Sequence, residues 1–509
     1  MTISSAEKNK RIAKNTFLLY IRMIVLMLVS LYTSRVILNA LGIQDFGIYN
    51  VVGGVVSMFS VLSNSLSAAI MRFLTYQLGR DNKKRLQQVF STSINIQIIL
   101  CVIITILLES VGLWFLNEKM VIPDNRIVAA NWVYQLSIIA FCINLISVPY
   151  NALIIAYEKM TAFAYISIIE AVLKLGVAIS VVYILSDKLI IYAILMALVS
   201  LVIRFTYGFY CKREFPECTY HLYFDKKLLK EMFSFAGWNF LGSSSVILRD
   251  QGGNILLNLF CGPIVNAARG ISFQVSNAVN SFVQNFQTAF NPQITKSYAI
   301  HDFEYLRKLT YSASKVSAFL IIVLGIPLFI EMPTVLKLWL KIVPDHAIWF
   351  VRLSLIFLFF EALAKPMVTA VLATGNIKNF QIITGGIQLL NIPISYILLR
   401  EGMLPEVVII VAVIISFASL ILKNYYFTEI INIKGTVFYN EVFLRISLIT
   451  LIVFIPSLLI YEWLLAFPVI RFISVCFISM ALSFLGIYNF GLNNSEKSLL
   501  KKILKHHSK

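Results

Sequence analysis

Apolar runs of about twenty residues or more recur along the chain from residue 15 to residue 490, separated by short polar turns. A run of roughly 20 apolar residues crosses the hydrocarbon core of a bilayer as a helix. The pattern predicts about fourteen such helices, over residues 15–40, 46–76, 88–116, 126–156, 160–185, 189–211, 231–260, 264–298, 310–341, 346–374, 378–399, 404–432, 437–462 and 466–490. The predicted fold is therefore an all-α integral membrane protein.

The predicted helices fall into two halves that resemble each other. Residues 136–160 align without gaps on residues 353–377 at an offset of 217, with Pro149 over Pro366. Gly42 in "LGIQDFGIY" lies over Gly262 in "CGPIVNAARG" at an offset of 220. Two repeats of six helices have the same orientation in the membrane, and such a pair normally encloses a substrate path. The pattern thus predicts two lobes around a central cavity, followed by two further helices.

This organisation divides the chain into six segments. They are a cytoplasmic N-terminal segment (1–14), an N-terminal lobe of helices 1–6 (15–211), a cytoplasmic linker (212–230), a C-terminal lobe of helices 7–12 (231–432), the helices 13 and 14 (437–490) and a basic cytoplasmic tail (491–509). The first helix is expected to stay in the protein, because no small-residue cleavage site follows it. The Gly42 and Gly262 turns are predicted to lie on the outer face, at matched positions of the two lobes.

Basic residues are distributed unevenly between the two sides of the membrane. The chain is 59% hydrophobic and only 13% charged, with a net charge of +18. Twenty-five lysines and arginines fall in one alternate set of connecting segments and six in the other. The positive-inside rule then places both termini in the cytoplasm and requires an even number of crossings. The net charge therefore reflects membrane topology, and no nucleic-acid partner is predicted.

Several classes of protein are disfavoured by what the sequence lacks. The longest loop has about twenty residues, which leaves no room for a soluble catalytic domain. The chain contains no GxxxxGK[ST] phosphate loop, and its six cysteines show no CxxC spacing. The sequence predicts no enzyme active site, metal site, disulfide or bound cofactor.

Four arginines lie inside predicted helices that correspond to each other in the two lobes. Arg22 and Arg72 are in helices 1 and 2, and Arg249 and Arg269 are in helices 7 and 8. A charge at bilayer depth costs about 2.5 to 3.5 kcal/mol, so it usually faces protein or a water-filled cavity. Facing inward, the four would form a cationic path, and guanidinium groups bind phosphate bidentately. The sequence therefore predicts an anionic substrate.

Other basic residues lie near the ends of the predicted helices. Their long side chains are expected to reach the membrane interface without any function. These residues are Arg204, Lys315, Arg352, Arg445 and Arg471.

Three acidic residues are candidates for coupling transport to an ion. Glu170 precedes Lys174 by four residues, and Glu361 precedes Lys365 by four, so each pair lies on one helix face. Either these pairs neutralise each other structurally, or Glu170 and Glu361 exchange a proton or sodium ion. Asp250 is the third candidate. It follows Arg249 directly, and neighbours in a helix point in different directions, so it need not cancel the charge of Arg249.

Several motifs resemble those of a known family. The outer turn "LG…FGIY" after helix 1, the stretch "MRFLTYQLGRDNKKRLQQVFSTS" that enters a basic inner loop, and "GNI" after helix 10 are similar to the polysaccharide transporters. These belong to the multidrug, oligosaccharidyl-lipid and polysaccharide (MOP) exporter superfamily. Within it, the chain most resembles the Wzx-type flippases of O-antigen and capsule repeat units. The resemblance covers about residues 10–490.

The resemblance implies a flippase in a bacterial plasma membrane. It would move an undecaprenyl-diphosphate-linked oligosaccharide, for O-antigen of lipopolysaccharide, capsule or exopolysaccharide, from the inner to the outer leaflet by alternating access coupled to H⁺ or Na⁺. The family's cavity arginines would correspond to Arg22, Arg72, Arg249 and Arg269. Implied partners are membrane lipids and the polymerase and glycosyltransferases of the same pathway.

Three alternatives stay open from the sequence. A flippase of peptidoglycan lipid precursors would also carry a lipid diphosphate. A multidrug exporter of the same superfamily would be expected to have acidic cavity residues without this arginine set. A membrane glycosyltransferase or polymerase would need a larger outer loop than the chain contains.

Overall fold

The computed structural model describes residues 5–57, 59–118, 122–215, 219–221, 223, 225–340, 343–492 and 497. Most of the predicted basic tail, and parts of the predicted N-terminal segment and linker, lie outside these residues.

The described residues form fifteen helices and contain no strand. The helices are α1 (Ser5–Ser57), α2 (Ser60–Gly79), α3 (Lys83–Glu118), α4 (Asp124–Ala156), α5 (Met160–Val182), α6 (Lys188–Glu214), α7 (Lys226–Cys261), α8 (Pro263–Ala299), α9 (Phe303–Ile330), α10 (Met332–Leu340), α11 (Ala347–Thr374), α12 (Lys378–Arg400), α13 (Val407–Ile431), α14 (Thr436–Trp463) and α15 (Pro468–Gly491). The all-α prediction is confirmed.

Ten helices of the described part are long and apolar enough to cross a membrane, which makes the chain a multi-pass membrane protein. The predicted total of fourteen crossings stays a prediction. Apart from the nine-residue α10, the helices outside this set of ten are α1, α2, α7 and α8. These are the first two helices of each predicted repeat. Within α1, Asn15–Ser30 is a shorter apolar stretch.

The chain is divided into two compact units. The N-terminal unit comprises Asn15–Phe240, and the C-terminal unit comprises Leu241–Lys509 together with Met1–Lys14. The division between Phe240 and Leu241 falls inside α7.

The two glycine turns have nearly the same backbone conformation. Gly42 interrupts α1 with φ 78° and ψ 169°, and Gly262 precedes α8 with φ 83° and ψ 178°. Residues other than glycine essentially never adopt this region. A Cβ built at either position would meet no atom within 4 Å, so the backbone alone requires glycine there. The predicted correspondence of the two turns is confirmed in their geometry.

Two further turns repeat between the units. Asp81 and His301, 220 residues apart, both have positive φ, of 53° and 58°. The next residue in each case caps a helix, because Asn82 accepts from the Arg85 N–H and Asp302 accepts from the Tyr305 N–H. Glu158 and Gly375, 217 residues apart, also have positive φ. The internal repeat therefore extends to the positions where the chain turns.

The N-terminal unit has an apolar core built from α2, α3 and α4, with Ile70, Leu74 and Phe90 almost fully buried. Where α4 begins, Arg126 donates to Asp45 of α1 at 2.5 Å and to Asp187, which precedes α6, at 2.7 Å. Asp187 also caps α6 by accepting from two backbone N–H groups. One guanidinium thus joins three helices of this unit.

The C-terminal unit has two apolar clusters. One surrounds Phe350 and Leu257, and the other surrounds Phe427 and Phe438. At the start of α11, His346 Nδ1 lies 2.7 Å from Glu406 Oε1, just before α13. By the offset of 220, His346 corresponds to Arg126, so the two units join equivalent helix ends with different side chains.

Buried polar contacts attach α15 to the rest of the C-terminal unit. Arg471 donates to Glu331 at 2.9 Å and to Thr334 at 2.9 Å, and the exposed fractions of Arg471 and Glu331 are 8% and 0%. Lys315 is 3% exposed and donates to the Gly491 carbonyl at 3.4 Å. The expectation that Lys315 and Arg471 reach the membrane interface is wrong, because both charges find partners inside the protein.

Candidate binding cavity

A cavity of about 280 Å³ lies within the C-terminal unit, lined by α7, α8, α11 and α13. Two of the four predicted arginines, Arg249 and Arg269, and two of the predicted coupling residues, Asp250 and Glu361, line it together. The sequence placed these residues on three separate helices, and the fold brings them to one site. Their roles as substrate-binding and coupling residues stay predictions.

Arg249 is held by contacts on every side. It is 5% exposed, its Nη2 lies 2.8 Å from Asp250 Oδ1, and its Nη1 donates to Gln388 Oε1 of α12 at 2.5 Å. Its guanidinium carbon lies 4.6 Å from the centre of the Phe357 ring. The expectation that Asp250 need not neutralise Arg249 is wrong, since the long arginine side chain bends back to its neighbour's carboxylate.

Glu361 has a different partner from the one its spacing suggested. Lys423 of α13 places its Nζ 3.2 Å from Glu361 Oε2, and Gln388 donates to Glu361 Oε1 at 3.4 Å. The predicted partner Lys365 also lines the cavity, but forms no salt bridge within the described part of the chain. Gln388 therefore connects the Arg249–Asp250 pair to the Glu361–Lys423 pair.

Arg269 and Lys365 carry the cavity charges that no carboxylate pairs with among the described residues. Arg269 is 8% exposed and donates through Nε to the neutral Asn254 side chain at 2.9 Å. Its guanidinium carbon lies 4.8 Å from the centre of the Phe273 ring. Lys365 is exposed within the cavity wall. The cavity is thus mildly basic, with its excess positive charge on these two residues.

Two glycines of α7 allow other helices to approach this site. A Cβ on Gly252 would lie 2.8 Å from Ile392 of α12, and a Cβ on Gly253 would lie 3.1 Å from Val408 of α13 and 3.6 Å from Arg269 Nη2. The pair "GG" in "RDQGGNILLN" therefore serves close packing around Arg269.

Neutral polar side chains form much of the remaining wall. Ser272, Ser276, Asn277, Asn280, Gln284 and Gln287 of α8 line the cavity together with Ser354 of α11. Ser272 and Ser354 share a hydrogen bond of 2.6 Å. The site combines a positive charge excess with many groups that can both donate and accept hydrogen bonds.

In the N-terminal unit, Arg22 lies near Glu170. The Arg22 guanidinium carbon is 4.3 Å from the centre of the Phe163 ring, and Glu170 and Tyr207 act on it electrostatically. Glu170 is also paired with Lys174 at 2.5 Å, as its i,i+4 spacing predicts. A predicted binding residue and a predicted coupling residue are thus neighbours here.

Arg72 lies against aromatic rings. Its guanidinium carbon is 4.6 Å from the ring centre of Phe73, 4.9 Å from that of Tyr76 and 5.8 Å from that of Phe235. Rings at these distances attract a cation through their quadrupole. Aromatic faces hold this arginine within the N-terminal unit.

Sequence reasoning missed several cavity residues. Lys365 was expected only as a partner of Glu361, and the α8 amides, together with Lys423 and Gln388 beside the cavity, were not predicted. One signal was available. Asn277, Asn280 and Gln284 recur with helical spacing in a segment that should cross the membrane, and unpaired polar groups are rare there unless they face a polar space.

Comparison with known proteins adds evidence on family and fold. The family model of the polysaccharide biosynthesis proteins matches residues 12–298. The chain is also similar to the uncharacterized membrane protein EpsK of Bacillus subtilis (strain 168), with 21% identity over 295 residues, or 57% of this chain. The match spans 58% of the length of EpsK.

Solved structures share the fold. A MATE protein in a bent conformation aligns with a TM-score of 0.72 at 15% identity, over 84% of this chain and 96% of the other. A MOP superfamily transporter from Pyrococcus furiosus, described as having a binding pocket of reverse polarity, aligns with a TM-score of 0.70 at 16% identity, over 85% of this chain and 99% of the other. At these identities the likeness shows the fold alone.

Proposed function

The chain belongs to the polysaccharide biosynthesis protein family and has the fold of the MOP superfamily transporters, and from this premise we propose that it is a lipid-linked oligosaccharide flippase. It moves undecaprenyl-diphosphate-linked repeat units of O-antigen, capsule or exopolysaccharide from the inner to the outer leaflet of a bacterial plasma membrane by alternating access. Both termini lie in the cytoplasm.

The observation that carries this proposal is the composition of the cavity in the C-terminal unit. Arg269 and Lys365 supply positive charge without a carboxylate partner in the described structure, while α8 supplies amides and hydroxyls. Guanidinium and ammonium groups suit a diphosphate, and neutral donors and acceptors suit sugar hydroxyls. A cationic drug would be repelled by the excess positive charge.

Ion coupling is part of the proposal. Glu361 is the preferred coupling residue because it lines the cavity and is joined to Arg249 through Gln388. Uptake of a proton by Glu361 would release Lys423 and so link occupancy to the charge of the site. Dissipating the proton gradient or the sodium gradient separately should slow flipping in one case, and unchanged rates in both would remove Glu361, Asp250 and Glu170 as candidates.

The activity is tested by locating the lipid-linked sugar. In oriented inner-membrane vesicles from a strain lacking this protein, an impermeant lectin should find the oligosaccharide accumulated on the cytoplasmic face. Wild-type protein should relieve the accumulation, and Arg269→Ala should not. No accumulation in the deletion strain would overturn the proposal and favour drug export.

The topology is tested by reporter fusions. Alkaline phosphatase fused after Lys230 should be inactive and the same reporter fused after Asp345 should be active, because the enzyme folds only outside the cytoplasm. The opposite pattern would reverse the orientation of the chain.

A further inference from the structure

Three carboxamides form a row on the cavity face of α8. Asn277, Asn280 and Gln284 are spaced i, i+3 and i+7, which places them on one side of a helix. All three line the cavity of the C-terminal unit. At a rise of about 1.5 Å per residue, the row extends over roughly 10 Å of the helix. It is therefore long enough to contact a sugar ring along its length.

The three amides have no protein partner in the part of the chain that the structure describes, unlike the other amides around the cavity. Gln287, one turn further along α8, donates to Ser317 Oγ and to the Ala362 carbonyl, and Gln388 contacts Arg249 and Glu361. Beside the row, Ser276 Oγ is buried and also lacks a partner. Asn277 and Gln284 are exposed and Asn280 is half-buried in the cavity wall, so these amides are open to water or a ligand.

We propose that Asn277, Asn280 and Gln284 recognise the sugar hydroxyls of the transported oligosaccharide and thereby determine which repeat units the protein carries. This inference rests on the proposed flippase function. In this arrangement Arg269 and Lys365 bind the diphosphate. The three carboxamides, called the amide row below, form hydrogen bonds with the sugars.

The chemistry of the row fits sugars better than phosphate. A carboxamide offers both donors and acceptors, as a hydroxyl does, and carries no charge that could replace a cation. A site that hydrogen-bonds a hydroxyl discriminates strongly against a ligand lacking it, because its polar groups are then left unpaired. The cavity volume of about 280 Å³ is just below the usual range for small-molecule sites, so we expect only part of the repeat unit to occupy it at a time.

The charged and neutral parts are separated along the same helix. Arg269 precedes Asn277 by eight residues, or about 12 Å along the axis of α8. Phe273, whose ring lies under the Arg269 guanidinium, is between them and also lines the cavity. A phosphate at Arg269 would therefore leave the amide row free for the attached sugars.

The test compares two substrates in oriented vesicles that contain the full-length protein. One is undecaprenyl diphosphate carrying the complete repeat unit of the source strain, and the other carries only its first sugar. Asn280→Leu and Gln284→Leu should each slow flipping of the complete unit about tenfold, as expected for a lost hydrogen bond to an oriented polar group. Flipping of the single-sugar lipid should stay within about twofold.

Two further variants show whether the slowing is specific to the amide row. Gln274→Leu alters an exposed carboxamide of α8 that does not line the cavity and should leave both rates unchanged. Gln284→Asn keeps the amide but withdraws it by one methylene, so it should change the preference among repeat units while the protein still accumulates.

The outcomes separate this inference from the proposed function. Equal slowing of both lipids by the Leu variants, or no slowing of either, would overturn the role of the amide row while Arg269→Ala still blocks flipping. Failure of Arg269→Ala and Lys365→Ala to affect either lipid would instead overturn the flippase assignment of the cavity.

Discussion

The two units repeat the same turns but place their charges differently. Gly42 and Gly262 share one backbone conformation. In the N-terminal unit, Arg126 pairs with two carboxylates at helix ends, and Arg22 and Arg72 lie against aromatic rings. The C-terminal unit places its charges inside, around the cavity, and joins the equivalent helix ends through His346. The comparison teaches that the repeat keeps the same backbone turns in both units, while the two units place different charges inside.

The largest expected effect is a loss of stability when the buried Glu331–Arg471 ion pair of the C-terminal unit is broken. Glu331→Ala leaves Arg471 in the protein interior without its carboxylate, which should lower the free energy of unfolding by about 3 to 5 kcal/mol. The measurement is thermal unfolding in detergent.

The N-terminal unit supplies the control. Glu170→Ala breaks a pair whose side chains are more than a third exposed, and it should cost less than about 1 kcal/mol. The double variant Glu331→Met with Arg471→Met should recover most of the loss. Equal losses for Glu331→Ala and Glu170→Ala would show that burial does not distinguish these pairs.

The next effect is on transport. Arg269→Ala and Lys365→Ala should each reduce the flipping rate by about 10- to 100-fold, because each removes a charged hydrogen-bonding group from the cavity. Arg72→Ala in the N-terminal unit should reduce it by less than about fivefold, since aromatic rings hold that side chain. The flipping rate of each variant is measured as the rate at which sugar becomes accessible to lectin in the outer leaflet. A larger loss for Arg72→Ala would assign the binding chemistry to the other unit.

The glycine turns should give matched effects in the two units. Gly42→Ala and Gly262→Ala each force a Cβ into a backbone region that costs about 1 to 3 kcal/mol, with no steric clash added in either unit. Both should therefore lower the unfolding temperature by the same amount. Gly375→Asn is the control and should cost less, because its counterpart Glu158 already has positive φ with a side chain. Unequal shifts at Gly42 and Gly262 would show that the turns are not equivalent.

The smallest expected effect is on the pH dependence of the Arg126–Asp187 junction in the N-terminal unit. Burial alone would raise the pKa of Asp187, but the Arg126 guanidinium and two backbone N–H groups lower it below the ordinary value of 3.8. A carboxyl with a lowered pKa stabilises the folded state above its ordinary pKa, and the contribution disappears only as pH falls through the folded value. The Arg126 junction should thus be constant from pH 5.5 to 8.5.

Arg126→Gln should therefore lower the unfolding temperature in detergent by the same amount at pH 5.5 and at pH 8.5. A loss that differs between the two pH values would show that Asp187 changes its protonation state within this range.

The sequence was sufficient to predict the all-α class and the matched glycine turns because both depend on local patterns. Apolar runs determine where helices cross a membrane, and a glycine at a turn indicates a backbone with positive φ. The i,i+4 pair of Glu170 with Lys174 is local in the same sense and was predicted correctly.

Partners from distant helices could not be predicted in this way. Glu361 and Lys423 are 62 residues apart, and nothing in the spacing of Glu361 and Lys365 shows that a third helix brings in a competing cation. The same holds for Arg471 and Glu331, which are 140 residues apart. The prediction that Asp250 need not neutralise Arg249 was wrong for another reason. Side-chain length lets an arginine reach a neighbour whose Cβ points elsewhere.

The Glu331–Arg471 pair has a consequence for how the protein is made. Glu331 leaves the ribosome 140 residues before its partner, so a nascent chain that lacks α15 contains an uncompensated carboxylate at a site built to exclude water. We expect such a chain, truncated before Pro468, to be degraded by membrane quality control, and Glu331→Met to prolong the lifetime of the truncated form. In the chain that includes α15, Arg471 neutralises the Glu331 carboxylate, which a chain truncated before Pro468 leaves without its charged partner.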